Sequence, residues 1–146
     1  LKLWQYSEPH LGMVAADGGG EPRILTESLD RPVSSPCFSS DGKSIDVLEE
    51  DDRNQYPATV DVATGQAHRD ITEPGTARSL NEAAGHAVIV WSTDNHPGEI
   101  YALEDGHLRA LTHQNDALVA ELKLAPTQDV SATTPDGTGV HQGAAP

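Results

Sequence analysis

The sequence predicts an all-β fold built from consecutive antiparallel hairpins, and three observations support this class. A small residue followed by glycine recurs along the whole chain, with successive glycines 20 to 31 residues apart. Apolar and polar residues alternate between these pairs, and no long segment shows the apolar spacing of an amphipathic helix. Tight hairpin turns need positive φ at their centre, which glycine adopts without steric cost. The six pairs are Asp17-Gly18, Asp41-Gly42, Thr64-Gly65, Ala84-Gly85, Asp105-Gly106 and Asp136-Gly137.

Four segments between these turns have the composition of strands. Residues 44–48 (SIDVL) place Ile45 and Val47 on one face, and residues 56–62 (YPATVDV) alternate in the same way. Residues 87–92 (AVIVWS) are apolar on both faces, as expected of a strand buried between neighbouring sheets, and residues 99–103 (EIYAL) are similar.

Residues 115–125 (NDALVAELKLA) fit two kinds of element. Asn115 could cap a helix, with Glu121 close to Lys123, but the apolar positions fit a strand about as well. We predict a strand here.

The hairpins alternate between two kinds, and together they define a repeat. One kind ends in an apolar residue followed by a threonine, at Thr26, Thr72 and Thr112, which lie 46 and 40 residues apart. The other kind lies between them, with Gly42 and Gly85 separated by 43 residues. Two hairpins make four strands per repeat, which is typical of a β-propeller blade. We therefore predict a partial β-propeller of about three four-stranded antiparallel blades.

Three blades are too few for a closed ring, so we expect a fragment. An open part of a ring exposes apolar blade faces, which favour self-association. An independent β-sandwich is an alternative, because evenly spaced hairpins can build that fold as well.

Several segments resemble a known family at this point. Residues 34–45 (SSPCFSSDGKSI) are similar to the S-P-x-F-S-P-D-G-K-x-I signature of TolB-like propeller blades. Residues 60–72 (VDVATGQAHRDIT) and 100–112 (IYALEDGHLRALT) resemble the outer strands of those blades and their closing Leu-Thr. The stretch that follows, through residues 130–141 (VSATTPDGTGVH), resembles the junction between propeller and hydrolase domain in prolyl-oligopeptidase-family serine peptidases, especially the acylaminoacyl-peptidase-like branch.

This resemblance implies a domain organisation and a function. Residues 1–126 would be the C-terminal blades of a β-propeller, and residues 127–146 a linker and first hairpin leading toward an α/β-hydrolase domain outside this chain. The chain would be a non-catalytic segment that filters access of a peptide substrate to the parent serine peptidase. The alternative is a TolB-like propeller fragment that acts as a protein-binding platform.

The sequence assigns no catalytic, cofactor-binding or metal-binding residue to this chain, and we expect no cofactor. The G-x-S-x-G elbow that exposes a nucleophilic serine in α/β-hydrolases is absent. The single cysteine, Cys37, excludes both an internal disulfide and a cysteine-rich zinc site. His107 and His113 are expected to be surface histidines rather than metal ligands.

Three further segments invite a functional interpretation, and a structural one is preferred for each. We interpret residues 49–54 (EEDDRN) as a solvated acidic loop, with lining of an acidic entrance by Glu49 and Glu50 as the alternative. Residues 17–22 (DGGGEP) lack the helix and lysine of a phosphate loop, so a wide hairpin turn is expected. Trp4 and Trp91 are predicted to pack in the interior rather than to form a ligand cage.

The charge excludes several classes of partner. The net charge is −14 and the pI is about 4.6, whereas nucleic-acid binding needs clustered lysine and arginine. The same charge disfavours anionic membranes, and the longest apolar run is far too short to span a bilayer. An acidic surface could instead attract the free amino terminus of a peptide. We expect a soluble protein and leave its compartment open, with the cytoplasm preferred to the periplasm.

Overall fold

Strands dominate the computed structural model, which describes residues 8–144 of the chain. Within these residues it contains twelve strands, one short helix and three separate sheets. The strands are β1 (Gly12–Met13), β2 (Arg23–Ile24), β3 (Val33–Phe38), β4 (Ser44–Asp51), β5 (Asn54–Asp61), β6 (Ala67–Arg69), β7 (Thr76–Ala83), β8 (His86–Thr93), β9 (His96–Glu104), β10 (His107–Ala110), β11 (Gln128–Thr133) and β12 (Gly139–Ala144). The all-β class predicted from the sequence is confirmed.

The central sheet consists of two four-stranded antiparallel units. In the first unit, β3 to β6 pair in chain order, and in the second unit β7 to β10 do the same. A single parallel pairing between Gln55 and Thr76 joins the two units. β1 and β2 form a short ladder of their own, and so do β11 and β12. The number of blades in any complete ring remains a prediction.

The predicted turns are present at all six small-residue–glycine pairs. Each of their glycines has a φ between +70° and +89°, so these positions need the conformational freedom that glycine provides. Two further hairpin turns, Asp52-Arg53 and Asp94-Asn95, contain no glycine and escaped the sequence analysis. The four predicted strand segments correspond to β4, β5, β8 and β9, and only the segment 56–62 extends beyond its strand, by one residue at Val62.

The closing threonines have a structural role that explains the repeat. Thr26 Oγ accepts a hydrogen bond of 2.8 Å from the N–H of Leu11, and Thr112 Oγ accepts one of 2.9 Å from the N–H of Ile100. Leu25 and Leu111, the residues before these threonines, donate their N–H groups to the carbonyls of Leu11 and Ile100, respectively. The two ends therefore close a strand pair in the same way.

Thr72 departs from this pattern. The N–H that bonds to the neighbouring strand is that of Asp70, two residues before Thr72, and it donates to the carbonyl of Pro57 at 3.0 Å. The register is thus shifted by one residue from the other two ends, and Thr72 is exposed.

Two apolar clusters form the core. The first packs Leu11 and Leu25 against Val33, Ile45, Val47, Ala58 and Val60 of the first unit. The second lies between the two units and contains Leu48, Tyr56, Ile71, Ala77, Leu80, Ile89 and Trp91. Both clusters follow from the period-2 alternation of the strands, because each unit turns one face toward each neighbour.

The prediction that residues 87–92 are buried on both faces is wrong in part. Ile89 and Trp91 are buried, but Val88 on the opposite face of β8 is 36% exposed. Within the described residues, no second sheet covers that face.

The strand predicted at residues 115–125 is also wrong. Asp116–Glu121 form a helix, α1, and the chain continues in extended form from Leu122. Asn115 occupies the N-cap position named in the helical alternative, but its side chain makes no capping hydrogen bond. In the part of the chain that the structure describes, no neighbouring strand offers this segment a ladder partner. None of the helices within residues 8–144 is long and apolar enough to cross a membrane.

Candidate functional site

A crevice between the two units brings four carboxylates to one cavity. It has a volume of about 310 Å³ and lies beside the turns Ala84-Gly85 and Asp105-Gly106. Thr59 and the apolar residues Leu80, Ala87 and Leu103 contribute to its lining. Four acidic side chains also line it: Asp46, Asp70, Glu82 and Asp105. We call this site the acidic crevice.

The strands of both units position these carboxylates. Asp46 of β4 and Thr59 of β5 are direct cross-strand partners on the face of the first unit that looks toward the second. The hydroxyl oxygen of Thr59 lies 2.9 Å from Asp70 Oδ1 and 3.3 Å from Asp46 Oδ1. Gly106 approaches Asp70 so closely that a Cβ there would lie 3.2 Å from the Asp70 carbonyl oxygen. The turn between β9 and β10 therefore closes over Asp70.

The crevice disfavours the ionised form of two of its acids. The hydrogen bond between Glu82 and the carboxyl of Asp46, followed by burial and the negative charge of Asp46, raises the pKa of Glu82. Burial raises the pKa of Asp70, opposed in part by the hydrogen bond from Thr59 and the charge of His68. The shift of Glu82 indicates a negative potential that a bound cation would relieve, whereas the shift of Asp70 reflects its burial.

The chemistry available to the crevice is electrostatic. Its acidic lining can attract an amine or another organic cation by charge and hydrogen bonding. Among residues 8–144, no group of three or more His, Cys, Asp or Glu side chains has the geometry to hold a metal ion. The crevice lining contains no serine, cysteine or histidine, so it holds neither a Ser–His nor a Cys–His pair.

A second acidic cluster lies at the other end of β4. The interpretation of residues 49–54 as a solvated loop is wrong in part: Glu50, Asp52 and Arg53 are exposed, but residues 49–51 and Asn54 lie in strands. Glu49 is only 4% exposed and lies in β4, not in a loop. Arg69 donates to Glu49 Oε1 from Nε at 3.0 Å and from Nη2 at 2.6 Å, and to Asp51 at 2.6 Å. Only Asp52 and Arg53 of this segment form a turn, because β5 begins at Asn54.

Two further residues complete this ion cluster. Arg31 donates to Asp51 Oδ1 at 2.8 Å, and the guanidinium carbon of Arg69 lies 4.4 Å from the centre of the Tyr56 ring. The hydrogen bond with Glu49 raises the pKa of Arg69, and that with Arg69 lowers the pKa of Asp51. Because Glu49 is enclosed and paired, it does not line an entrance.

The other residues weighed from the sequence have structural positions. His107 is exposed at the start of β10, and His113 is exposed beside Asp116, with 3.0 Å between Nδ1 and Oδ2. Trp91 is buried in the core between the units, as predicted, whereas Trp4 lies outside the described residues. In the turn of residues 17–22, Asp17 Oδ1 accepts a hydrogen bond of 2.9 Å from the N–H of Gly19.

The sequence analysis missed the acidic crevice altogether. Asp46, Asp70 and Glu82 stand singly in the sequence, each beside apolar residues, and none forms a motif with its neighbours. The available indication was Asp46, a polar residue at a position of β4 that faces the next unit. To predict the crevice from it, one would need the register of β4 against β5 and the packing of the two units.

Comparisons with known proteins relate this fold to one group of solved structures. No protein-family model matches the chain, and no curated protein matches it by sequence. The orthorhombic crystal form of Pyrococcus horikoshii acylaminoacyl peptidase is similar over 83% of this chain, with 15% identity and a TM-score of 0.69. The uncomplexed form of that enzyme is similar over 84% of this chain, with 15% identity and a TM-score of 0.71. An acylaminoacyl peptidase in complex with Z-Gly-Gly-Phe-chloromethyl ketone is similar over 84% of this chain, with 15% identity and a TM-score of 0.70.

These similarities show a shared fold. The chain corresponds to 19% of the length of each of these structures, so it spans about a fifth of them. The structural relationship to acylaminoacyl peptidases that the sequence resemblance implied is therefore supported at the level of the fold.

Proposed function

We propose that this chain is a non-catalytic β-propeller segment of a serine peptidase, and that it filters peptide access to a hydrolase domain. The observation that carries the proposal is the similarity to acylaminoacyl peptidases, with TM-scores of 0.69 to 0.71 over more than four fifths of the chain. The two four-stranded units, packed face to face through an apolar core, are the arrangement expected of neighbouring blades.

The proposal divides the chain near residue 126. Residues 1–126 are the TolB-like blades, and residues 127–146 are the connection toward the hydrolase domain. The β11–β12 ladder supports this division, because it forms a separate sheet from the one that contains both units.

The segment would act through shape and charge rather than through bond making. Packed blades leave only narrow passages, which admit a short peptide and exclude a folded protein. The acidic crevice would favour substrates with a free amino terminus, because four carboxylates line it and no basic side chain does.

The test uses the longer protein that contains this chain. A fluorophosphonate probe should label that protein and leave the isolated chain unlabelled. The longer protein should cleave a short peptide and spare the same peptide sequence within a folded protein. Failure of the longer protein to react with the probe, or labelling of the isolated chain, would contradict the proposal.

The contribution of the acidic crevice is tested separately. The double substitution Asp70→Asn and Glu82→Gln should lower kcat/KM several-fold for a peptide with a free amino terminus. The matched control is the same peptide with an acetylated amino terminus, which should be cleaved unchanged. Equal effects on both peptides would show that the crevice does not select for the amine.

A second candidate function is that of a protein-binding platform built from TolB-like blades. It is favoured by the uncovered apolar face of the second unit, where Val88 and Ile100 are 36% and 43% exposed. An absence of probe labelling in the longer protein, together with retention of partner proteins, would support this candidate over the peptidase.

A further inference from the structure

We propose that a cleft between the two units binds the amino-terminal end of an apolar amino acid, that is, an ammonium group and a carbonyl joined to an aromatic or aliphatic side chain. We call this site the aromatic cleft, and its volume is about 370 Å³. It shares no lining residue with the acidic crevice, and the inference does not depend on the peptidase proposal. Six residues form most of its lining: Glu73, Trp91, His96, Tyr101, His107 and Leu108.

Both walls of the aromatic cleft belong to this chain. One wall is the side of β8–β10 that faces the first unit, and the other is the connection from β6 to β7, which contains Glu73. The cleft exists because β6 ends at Arg69, so the first unit reaches over this part of the second only through that connection. A further blade would pack on the far side of either unit and would leave the cleft open.

The floor of the cleft is apolar and aromatic. Tyr101 of β9 lies opposite Ile89 of β8, two residues from Trp91, so both rings stand on the same side of the sheet. Tyr101 and Leu108 pack against the core cluster between the units and stay half-buried. Such a floor in a concave site fits the apolar side chain of a ligand.

Trp91 adds a hydrogen-bond donor to this floor. The residue is 5% exposed, and a Cβ at Gly75 would lie only 2.3 Å from its Cζ2, so the ring is held against the backbone of the connection. No described residue accepts a hydrogen bond from its indole N–H. Because the described residues leave no enclosed side-chain nitrogen without a partner, this N–H reaches the solvent of the cleft. A largely buried indole usually has a partner, and the carbonyl oxygen of a ligand fits that role.

Glu73 gives the cleft its negative charge. It is the one carboxylate among the described lining residues, which include no lysine or arginine. Glu73 is exposed, and no described residue pairs with its carboxylate. An ammonium group can therefore pair with Glu73 beside the aromatic rings, whose faces also attract cations. The net charge of −14 favours the approach of a cation and disfavours that of an anion.

Together these groups match three parts of one ligand. The ammonium pairs with Glu73, the carbonyl oxygen accepts from the indole N–H of Trp91, and the side chain covers Tyr101 and Leu108. The same three parts occur in a free amino-acid amide and at the amino terminus of a peptide.

NMR titration of the full ¹⁵N-labelled chain tests this inference. The probe is phenylalaninamide, and the readout is the indole N–H resonance of Trp91, identified as the one that persists in Trp4→Phe. We expect this resonance to shift and to saturate. N-acetyl-phenylalaninamide lacks the ammonium group and should bind about fivefold more weakly or worse. Similar binding of the peptide Phe-Gly-Gly would identify peptide amino termini as ligands, and binding of phenylalaninamide alone would identify free amino-acid derivatives; both results support the site.

Two matched variants test the charge of the cleft. Glu73→Gln changes an exposed residue, so it should leave the far-UV circular dichroism spectrum unchanged and weaken the binding of phenylalaninamide about fivefold. Glu27→Gln changes the net charge equally at an exposed position outside the cleft and should leave binding unaltered. An indole resonance that does not move, equal binding of the acetylated compound, or equal weakening by the two variants would overturn the inference.

Discussion

Glu49 shows how strongly the position of a single residue determines its role. In the sequence it begins a run of four acidic residues, which suggests a solvated surface. In the structure its carboxylate is buried and receives two hydrogen bonds from Arg69. The partner comes from β6, twenty residues further along the chain, so local composition could not reveal the pair.

Removing the partner should therefore be costly. The substitution Arg69→Met leaves the carboxylate of Glu49 enclosed without a counter-charge, and we expect a loss of about 3 kcal/mol in the free energy of unfolding. Urea denaturation followed by circular dichroism would measure it. The double substitution Glu49→Gln with Arg69→Met should recover part of this loss.

Arg109→Met provides the control for that experiment. Arg109 pairs with Glu104, but both side chains are largely exposed, at 60% and 48%. An exposed ion pair contributes little, so no measurable change in stability is expected. Similar losses for Arg69→Met and Arg109→Met would contradict the argument from burial.

Asp70 predicts a pH dependence with a defined sign. Its pKa is raised above 3.8 in the folded chain, so folding favours the protonated carboxyl. The stability associated with this group is present below pH 3.8 and is lost as the pH rises through the raised pKa. Asp70→Asn should therefore raise the thermal midpoint at pH 7 and change it little at pH 3.

Asp61→Asn should show the opposite sign. Hydrogen bonds from the hydroxyl and the N–H of Thr64 lower the pKa of Asp61, so its ionised form stabilises the fold above pH 3.8. This substitution should lower the thermal midpoint at pH 7, with a smaller effect under acidic conditions. If both substitutions changed the thermal midpoint at pH 7 in the same direction, burial would not be the cause of the raised pKa of Asp70.

At the scale of the elements, hydrogen bonds at strand ends account for the repeat in the sequence. The closing threonines cap the backbone of a neighbouring strand at Leu11 and at Ile100. The first strand of each unit shares a feature that the sequence pattern did not predict. β3 and β7 each contain a bulge with a serine at positive φ, Ser35 at 54° and Ser79 at 57°. The two units thus repeat more closely in backbone than in sequence.

The short helix α1 depends on a single acidic residue of β9. Glu99, 8% exposed, accepts hydrogen bonds from the N–H of Asn115 at 2.7 Å and its side-chain amide at 2.9 Å, and from the hydroxyl of Thr112. These bonds hold the chain at the start of α1, which buries none of its own residues. A helix of six residues without apolar burial needs such an attachment.

Glu99→Gln should release this attachment, because one carboxylate oxygen is replaced by a hydrogen-bond donor. Amide hydrogens at residues 115–122 should exchange faster with solvent, while those of β4 and β5 should not change. The pKa of Glu99 is lowered, chiefly by the bond from Thr112, so the attachment is present above pH 4.5 and is lost as the pH falls through the lowered value. Glu104→Gln, on the exposed end of the same strand, is the control and should leave α1 unaffected.

At the scale of the whole molecule, one apolar cluster joins side chains of both units. Ile89 is 1% exposed and packs among side chains from both units. Ile89→Ala should lower the free energy of unfolding by about 3 kcal/mol through lost burial and the cavity left behind. Unfolding should remain a single transition in denaturant, because the same cluster stabilises both units.

The neighbouring residue Val88 is the matched control for this prediction. It lies one position earlier in β8 and points away from the first unit, with 36% of its surface exposed, so Val88→Ala should have a much smaller effect on the stability of the chain. Hydrogen exchange would show the difference directly: Ile89→Ala should accelerate exchange in β4 as well as in β8. Acceleration in β8 alone would show that the two units fold independently.

The sequence by itself determined the all-β class, the six glycine turns and the four principal strands. These features depend on local sterics and on the alternation of apolar residues, which neighbouring residues specify. It predicted a strand where Asp116–Glu121 form a helix, because six residues carry too little periodicity to separate a helix from a strand. Only the tertiary structure decided that Glu49 pairs with Arg69, that Asp46, Asp70 and Glu82 share one crevice, and that one apolar face of β8 lies uncovered. Each of these depends on contacts between residues far apart in the chain, and their geometry is set by strand register and by the packing of one unit on the next.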